Sequence, residues 1–488
     1  MQRTNPLGRT AVVGLCVLIL LALGAAHAGA AELLVGGATT SITPDQPVAL
    51  SGQFNTRIAK TVETPVTATA LALEAREGET IVDQAIMVSC DLVAIRGTIQ
   101  DQLRERVKSR LEGFDLQKLI LSATHTHTAP VMVEGAYIIP KEGVMQPAEY
   151  VDFLLGRLAD LVVRAWESRK PGGVSWALGH AVVGHNRRAV YADGSAVMYG
   201  ATDKPEFRNL EGYEDHGVEM LFFWDPDQKL TAVAINVACP SQEVEGRSAV
   251  NADFWHEVRE ELHKRYGENL YVLGWPGAAG DQSPHLMFRK AAEERMLKLR
   301  GLTRTQEIAR RIVRAVDDVY ELAKSDVRTD VVMVHHVEQL QLPVLKITEA
   351  QVAQAKADAE QYAAKENPST SDVRRRRWHQ AVVDRYEKQD KEPFYTMELH
   401  VIRLGDVAIA TNPFELFLDY GIRIKARSKA VQTFIIQLAC ASGIYLPTEK
   451  AVQRGGYSAI PESNPVGPEG GQVLVERTVE LINGMWSQ

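Results

Sequence analysis

The stretch "LQKLILSATHTHTAP" (116–130) sets two histidines two residues apart, directly behind an apolar run. "LQKLILS" (116–122) has the β-rich character of a buried strand. In an extended chain, side chains at i and i+2 leave the same face. His125 and His127 therefore point together into one space where the chain turns at Pro130. A metal site or an acid/base pair is built this way. Threonine hydroxyls satisfying two partly buried imidazoles would give the same pattern.

Working outward, "QAIMVSCDLVAI" (84–95) reads as a buried strand ending at Asp91, and "TIQDQLRERVKSRLEG" (98–113) as a helix. Ile99, Leu103, Val107 and Leu111 recur every four residues, Thr98 caps the start and Gly113 ends it. Strand, helix, strand with polar residues at the second strand's end is an α/β pattern, and in such sheets strand ends are where ligands bind. Further along, 147–169 reads as an amphipathic helix, 218–240 as a hairpin turning at Asp225-Pro226-Asp227, 251–267 as a helix and 269–275 as a strand. That strand leads into the Gly-rich loop "PGAAGDQSPH" (276–285). Residues 290–325 read as helical, 397–413 as a hairpin and 414–428 as a helix behind Pro413. Residues 349–392, rich in Ala, Gln, Lys, Glu and Arg, read as a helical excursion on the surface. No internal repeat and no Pro/Gly/Ser-rich boundary is visible. The expected architecture is α/β: layered mixed β-sheets flanked by helices in a single large catalytic domain over 29–488.

The chain has 488 residues, 45% hydrophobic and 24% charged, with a formal net charge of −8. Nothing there points to nucleic acid, and the Arg374–Arg377 run sits among acids and helix formers as a solvated helical face. Arg3 and Arg9 precede "AVVGLCVLILLALGAA" (11–26) and then "AHA" (26–28). A basic start, a short apolar core and a small-x-small site make a secretory signal peptide over 1–28, so the mature chain is expected in the periplasm or outside the cell. Cys90, Cys239 and Cys440 then remain. Their odd number leaves at least one thiol unpaired and gives no disulfide framework.

Polar residues gather at strand ends: His125, His127, Cys239, the loop residues Gly280, Asp281 and Ser283, Glu415 beside Pro413, and Tyr445. His, Cys, carboxylate and phenolate suit zinc, although spacing alone does not establish it. Asp281 and Ser283 alone could be turn formers, Glu415 an N-terminal helix acid, Tyr445 a half-buried core aromatic, and Arg187 and Arg188 surface charges.

In order along the chain, "GGATTSITP" (36–44), "SCDLVAI" (89–95), "ATHTHTAP" (123–130), "GHNRRAVY" (184–191), "GAAGDQSPH" (277–285), "NPFELFLDYGIRIK" (412–425) and "YLPTEKAVQRGGYSA" (445–459) resemble segments of the neutral/alkaline ceramidase family's N-terminal catalytic domain. The resemblance implies an exported zinc-dependent amidase that splits the N-acyl bond of ceramide-like lipids into fatty acid and sphingoid base. By the matching positions, His125, Glu415 and Tyr445 would be metal ligands, and His127 would lie near the bound water or the oxyanion. Arg187 and Tyr457 would contact the scissile carbonyl, and Ser283 would be a nucleophile or a substrate contact. The implied partners are a small-molecule lipid or N-acyl substrate and a membrane surface touched peripherally, with no obligate protein partner.

Two departures stand out. Where the family has a further histidine ligand before proline, this chain has Cys239 before Pro240. Cys239 is either a thiolate ligand or a buried core thiol, with His256 or Asp253 as substitutes in the second case. The chain also stops soon after the Tyr457 segment, so the family's C-terminal immunoglobulin-like domain is expected to be absent. Other substrates for the same machinery are an N-acyl amino acid, an ester or a lactone; a non-catalytic lipid-binding protein on a decayed metal site is the alternative of a different class.

Overall fold

Three four-stranded sheets share one topology in the computed structural model, which describes residues 30–487. The first runs through Ala31–Ser41, Thr67–Glu77, Thr80–Cys90 and Leu119–Ala123; short strands at Lys170–Pro171 and Asp330–Val331 add to its edge. The second runs through Gly173–His180, Gly217–Trp224, Leu230–Val237 and Tyr271–Pro276. The third runs through Met333–Pro343, Phe394–Leu404, Val407–Thr411 and Gln432–Ile436. In each, the first three strands are antiparallel and the fourth is parallel to the third. Each parallel pair is joined by a crossover helix: Ile99–Val107, Phe254–Tyr266 and Leu418–Arg427. A parallel connection must carry the chain back the length of the strand, and a helix does so while covering one sheet face. A longer helix follows each fourth strand: Pro147–Glu167, Arg304–Ser325 and Pro468–Met485.

This repetition explains where the core lies. One face of every sheet joins a common apolar cluster, with Leu73 and Met87 from the first, Phe223 and Trp275 from the second, Ile409 and Phe434 from the third. Trp275 and Phe434 meet edge-to-face at 6.3 Å across the second and third sheets. Each such side chain contributes about 1.5–3 kcal/mol by leaving water. The outer faces are covered by each sheet's own two helices, giving three separate clusters. With both faces buried, the inner strands read as continuous apolar runs rather than as alternation. A shared core requires apolar residues of fitting volume, not a common sequence, so the repeat leaves no trace of identity.

Several element bounds differ from the sequence reading. The first crossover helix ends at Val107, not Gly113. Residues 290–325 hold two helices, Lys290–Arg300 and Arg304–Ser325, because Gly301 takes a left-handed conformation, φ 66°, and caps the first. The helix behind Pro413 starts only at Leu418, since Glu415–Leu416 form a short strand paired in parallel with Tyr445–Leu446. Within 349–392 lie the helices Glu349–Ala363 and Thr370–Lys388, with a small core of their own around Val352 and Val382. The segment read as a signal peptide lies outside the described residues.

Candidate active site

The carboxyl ends of the three parallel strand pairs converge. Cys440 N–H donates to the Leu121 carbonyl at 2.8 Å, Gln437 N–H to that of Pro276 at 3.1 Å, and Ser241 N–H to that of Thr124 at 3.2 Å. Gly280 N–H donates to the Leu416 carbonyl at 2.7 Å, and a Cβ at Gly280 would lie 2.3 Å from the carbonyl oxygen of Glu415. Only glycine permits that approach.

His125 is buried and adopts φ 71°, a left-handed conformation costly for a residue with a side chain. The strain is held by its backbone N–H on the Leu92 carbonyl at 2.9 Å and its Nδ1 on the Val93 carbonyl. A carbonyl can only accept, so Nδ1 carries a proton, and in the neutral ring the Nε2 lone pair is free. That Nε2 lies 3.4 Å from Glu415 Oε2 and 3.4 Å from His127 Nε2. The two histidines share one space as expected, but through this backbone reversal rather than an extended strand.

The protonation of His127 follows from its neighbours. Arg187 Nη1 donates to Gln242 Oε1 at 3.1 Å, which leaves the amide nitrogen of Gln242 to donate to His127 Nε2 at 2.8 Å. The proton of His127 therefore sits on Nδ1, 3.3 Å from Glu245 Oε2. Burial pulls the imidazole below its ordinary pKa despite Glu245. Gly52, at φ 100°, lies under the ring; a Cβ there would be 2.4 Å from it.

Glu415 and Tyr445 are register partners of the short parallel pair. Burial works to raise the Glu415 carboxyl, but His125, Arg187 and Tyr445 outweigh it and hold the pKa at about 2. Burial drives the Tyr445 phenol well up. Arg187 is buried, not a surface charge. Its Nη2 donates to Tyr445 Oη at 3.2 Å and to the Gly280 carbonyl at 2.9 Å, and lies 3.8 Å from Glu415. Arg188 is buried too and pairs with Glu211 at 2.6 Å.

Ser283 Oγ accepts from Tyr199 Oη at 3.1 Å and from His285 N–H at 3.1 Å. Among the described residues no imidazole or carboxylate is hydrogen-bonded to it as a base; the His285 ring is turned to Glu245 and Glu243 instead. Asp281 binds Asn186 Nδ2 at 3.0 Å and Leu418 N–H at 2.9 Å, so this loop does hold the His185–Asn186 strand and the third crossover helix together. Tyr457 packs edge-to-face on Tyr445 at 5.8 Å, and burial raises its phenol to about 12. Beyond it, Trp378 contacts Tyr457 at 5.5 Å and Phe54 at 5.8 Å. The 370–388 helix thus supplies a wall of the site.

Cys239 stands at the end of its strand, as read, but its Sγ rests 3.5 Å from the Pro240 carbonyl within the helix-side core of the second sheet. Burial raises its thiol well above the ordinary range. It makes no hydrogen bond to His125, Glu415 or Tyr445. Asp253 caps the Phe254–Tyr266 helix and binds Val244 N–H at 2.8 Å. Among the described residues, the one His/Cys/Asp/Glu trio with ligand atoms all within 4.8 Å is Glu398, His400 and Cys440, away from these residues.

The sequence reading did not include Gln242, Tyr199, Glu245 or Gly52. Gln242 stands three residues after Cys239, behind the same strand end, and was legible only as a polar residue beside a proline. Tyr199, Glu245 and His285 also line a cleft of about 900 Å³ with Met287 and Phe288.

No family model and no curated protein matches the sequence. Solved structures do match. The structure described as neutral ceramidase from Pseudomonas aeruginosa superposes with a TM-score of 0.66 at 15% identity, over 93% of this chain and 75% of that one. A structure described as ceramidase complexed with C2 superposes with a TM-score of 0.65 at 14% identity, over 94% of this chain and 76% of that one. The chain has the fold of these proteins.

Proposed function

We propose that the chain is an exported, zinc-dependent hydrolase that cleaves the N-acyl bond of lipid-like amides. The observation that carries this reading is the His125 Nε2 lone pair, fixed by the Val93 carbonyl and facing the Glu415 carboxylate at 3.4 Å. With the ring neutral, two electron-rich groups face each other and fit a cation, and a carbonyl-anchored imidazole is the usual support of a metal-binding histidine. His125, Glu415 and Tyr445 would hold the ion. Cys239 is carried in the proposal as the fourth ligand; to serve, its thiol would have to lose its proton and turn from Pro240. Bound there, zinc supplies a water nucleophile at neutral pH and an electrophile for the acyl carbonyl.

The other roles fall to the chain's own groups. His127 stands beside the attacking water; its Nε2 lone pair takes the Gln242 N–H here and would accept the water's proton on release of Gln242. Arg187 and Tyr457 donate to the oxygen on which charge develops. Ser283, with Oγ accepting two hydrogen bonds and no base, orients the amide. The aromatic wall of Phe54, Trp378 and Tyr457 and the cleft beside Met287 and Phe288 suit an acyl chain. The fold shared with ceramidases supports the same reading.

A second substrate class, an N-acyl compound with an anionic group, is favoured by Arg96. It makes no side-chain hydrogen bond or ion pair among the described residues, yet lies within electrostatic reach of Glu415, Tyr457 and Arg374. Metal analysis with a panel of N-acyl lipids, N-acyl amino acids, esters and lactones tests both. Tightly bound zinc with N-acyl cleavage is expected. A preference for acidic N-acyl substrates that Arg96→Ala abolishes would select the second class. Metal-free, inactive protein that still binds lipid would overturn the enzyme reading.

A further inference from the structure

A second cluster, at the seam of the first and third sheets, sets an imidazole nitrogen, a carboxylate and a thiol against one another. His335 Nδ1 lies 3.0 Å from the Gln84 carbonyl, which can only accept. His335 Nδ1 therefore carries the proton and Nε2 is a lone pair. That lone pair lies 2.9 Å from His400 Nδ1, which must then be the donor. His400 Nε2 is left as a lone pair, yet it faces Glu398 Oε1 at 2.7 Å and Cys440 Sγ at 3.5 Å. A neutral imidazole lone pair and a carboxylate repel at that distance. Two neutral histidines supply two protons to a chain of three contacts that begins and ends on acceptors, and the only other donor against His400 Nε2 among the described residues is the weak one of the Cys440 thiol.

We propose that Glu398, His400 and Cys440 bind a structural divalent metal ion of the zinc class. Their ligand atoms lie within 4.8 Å of one another and are one nitrogen, one carboxylate oxygen and one sulfur, the donor set that zinc takes. Tetrahedral bonds of ordinary zinc length place nitrogen and sulfur about 3.5 Å apart, as His400 and Cys440 are; the Glu398 contact opens by about half an ångström. The outer supports are in place. His335 receives the second N–H of His400, and Arg104 grips Glu398 through both guanidinium nitrogens at 2.6 and 2.8 Å. Cys440 is held by its own N–H on the Leu121 carbonyl at a strained φ of 62°. Glu398 and His400 come from the third sheet, while Cys440 is anchored on the first. The ion therefore clamps the two sheets, and Cys440 releases its proton to solvent on binding. His400 and Cys440 are buried and Arg104 covers the half-buried Glu398, so no cleft opens on the cluster and the role is structural.

The test uses the full chain carrying Cys239→Ala, so that any sulfur signal belongs to another thiol. The protein is stripped with a chelator and titrated with Co²⁺. A thiolate-to-cobalt charge-transfer band is expected, and adding Cys440→Ala removes it. Absence of the band in the single variant, or its survival in the double variant, overturns the proposal; the His400–Glu398 contact is then held by a second proton on His400. Should the double variant fail to fold, X-ray absorption on zinc-loaded Cys239→Ala protein decides. A sulfur scatterer at about 2.3 Å is expected, and a purely nitrogen and oxygen environment overturns the site.

Discussion

Arg259 grips Asp91 through two hydrogen bonds, 2.7 and 2.8 Å, with both side chains buried. Asp91 directly follows the third strand of the first sheet, and Arg259 lies on the crossover helix of the second. The same carboxylate accepts from Thr67 N–H at 2.8 Å and from Thr124 Oγ1 at 3.2 Å. The residue before His125 is thus tied to the seam between two units. Asp91→Ala leaves a buried guanidinium unpaired and is expected to destabilise by roughly 3–5 kcal/mol. Denaturant unfolding should show a lower midpoint with an unchanged slope; a shift under 1 kcal/mol, read with the ~1 kcal/mol typical of ordinary substitutions, would remove the pair from the account.

His125 and His127 should separate by role. His125→Ala is expected to lose metal and activity together. His127→Ala should keep the metal and lose turnover by roughly 10²–10⁴. Gln242→Ala, which frees His127 and Arg187 from each other, should lower kcat by less. Equal metal loss in the two histidine variants, measured by elemental analysis, would collapse the division.

Ser283→Ala is expected to retain measurable turnover, because Oγ has no base. Intact-protein mass spectrometry during turnover should find no acyl group on the chain. An acyl adduct that maps to Ser283 would make it the nucleophile.

Glu243 gives a pH signature. Burial first, with Asp253 and Glu245 adding and His285 and Arg304 opposing, raises its carboxyl to about 7. In the unfolded chain it titrates near the ordinary value. Between these values the folded state holds the proton that the unfolded state has lost, so stability falls as pH rises through the window from about 4.5 to 7. Glu243→Gln should flatten that decline and leave the variant more stable than the parent at pH 8 by up to roughly 3 kcal/mol. Parallel denaturation curves for the two proteins across the window would refute it.

Trp378 sits on the helix 370–388 and touches both Phe54 and Tyr457. It binds substrate equally before and during reaction if it is only a wall. Trp378→Ala should therefore raise KM several-fold and leave kcat close to the parent. A fall in kcat alone would assign the helix a role in the chemistry.

Much of the layout was legible from local pattern. The apolar runs, the crossover helix opening at Ile99 and the strand before Thr124 follow from periodicity and punctuation, which act within a few residues. So does the gathering of polar side chains at strand ends. Glu415 was not legible as a strand residue. Pro413 and the apolar spacing beyond it suggested a helix start, whereas pairing with Tyr445, thirty residues on, claims Glu415 for a strand. Local pattern also left open whether Arg187 and Arg188 were surface charges, since the partners that bury them, Tyr445, Gln242 and Glu211, are all distant in sequence.

By itself, then, the sequence determined the α/β class, the segments that become strands and helices, and which residues had the chemistry for a site. Those follow from hydrophobic periodicity and side-chain type, both local properties. Tertiary structure alone decided that the elements form three like-wound units around one core, because a shared core constrains volume and not identity. It also decided which polar residues meet. His125 faces Glu415 through a left-handed turn, and Cys239 turns its sulfur to Pro240. Cys440, silent in the sequence, comes to lie beside His400 and Glu398 only when the third sheet closes on the first.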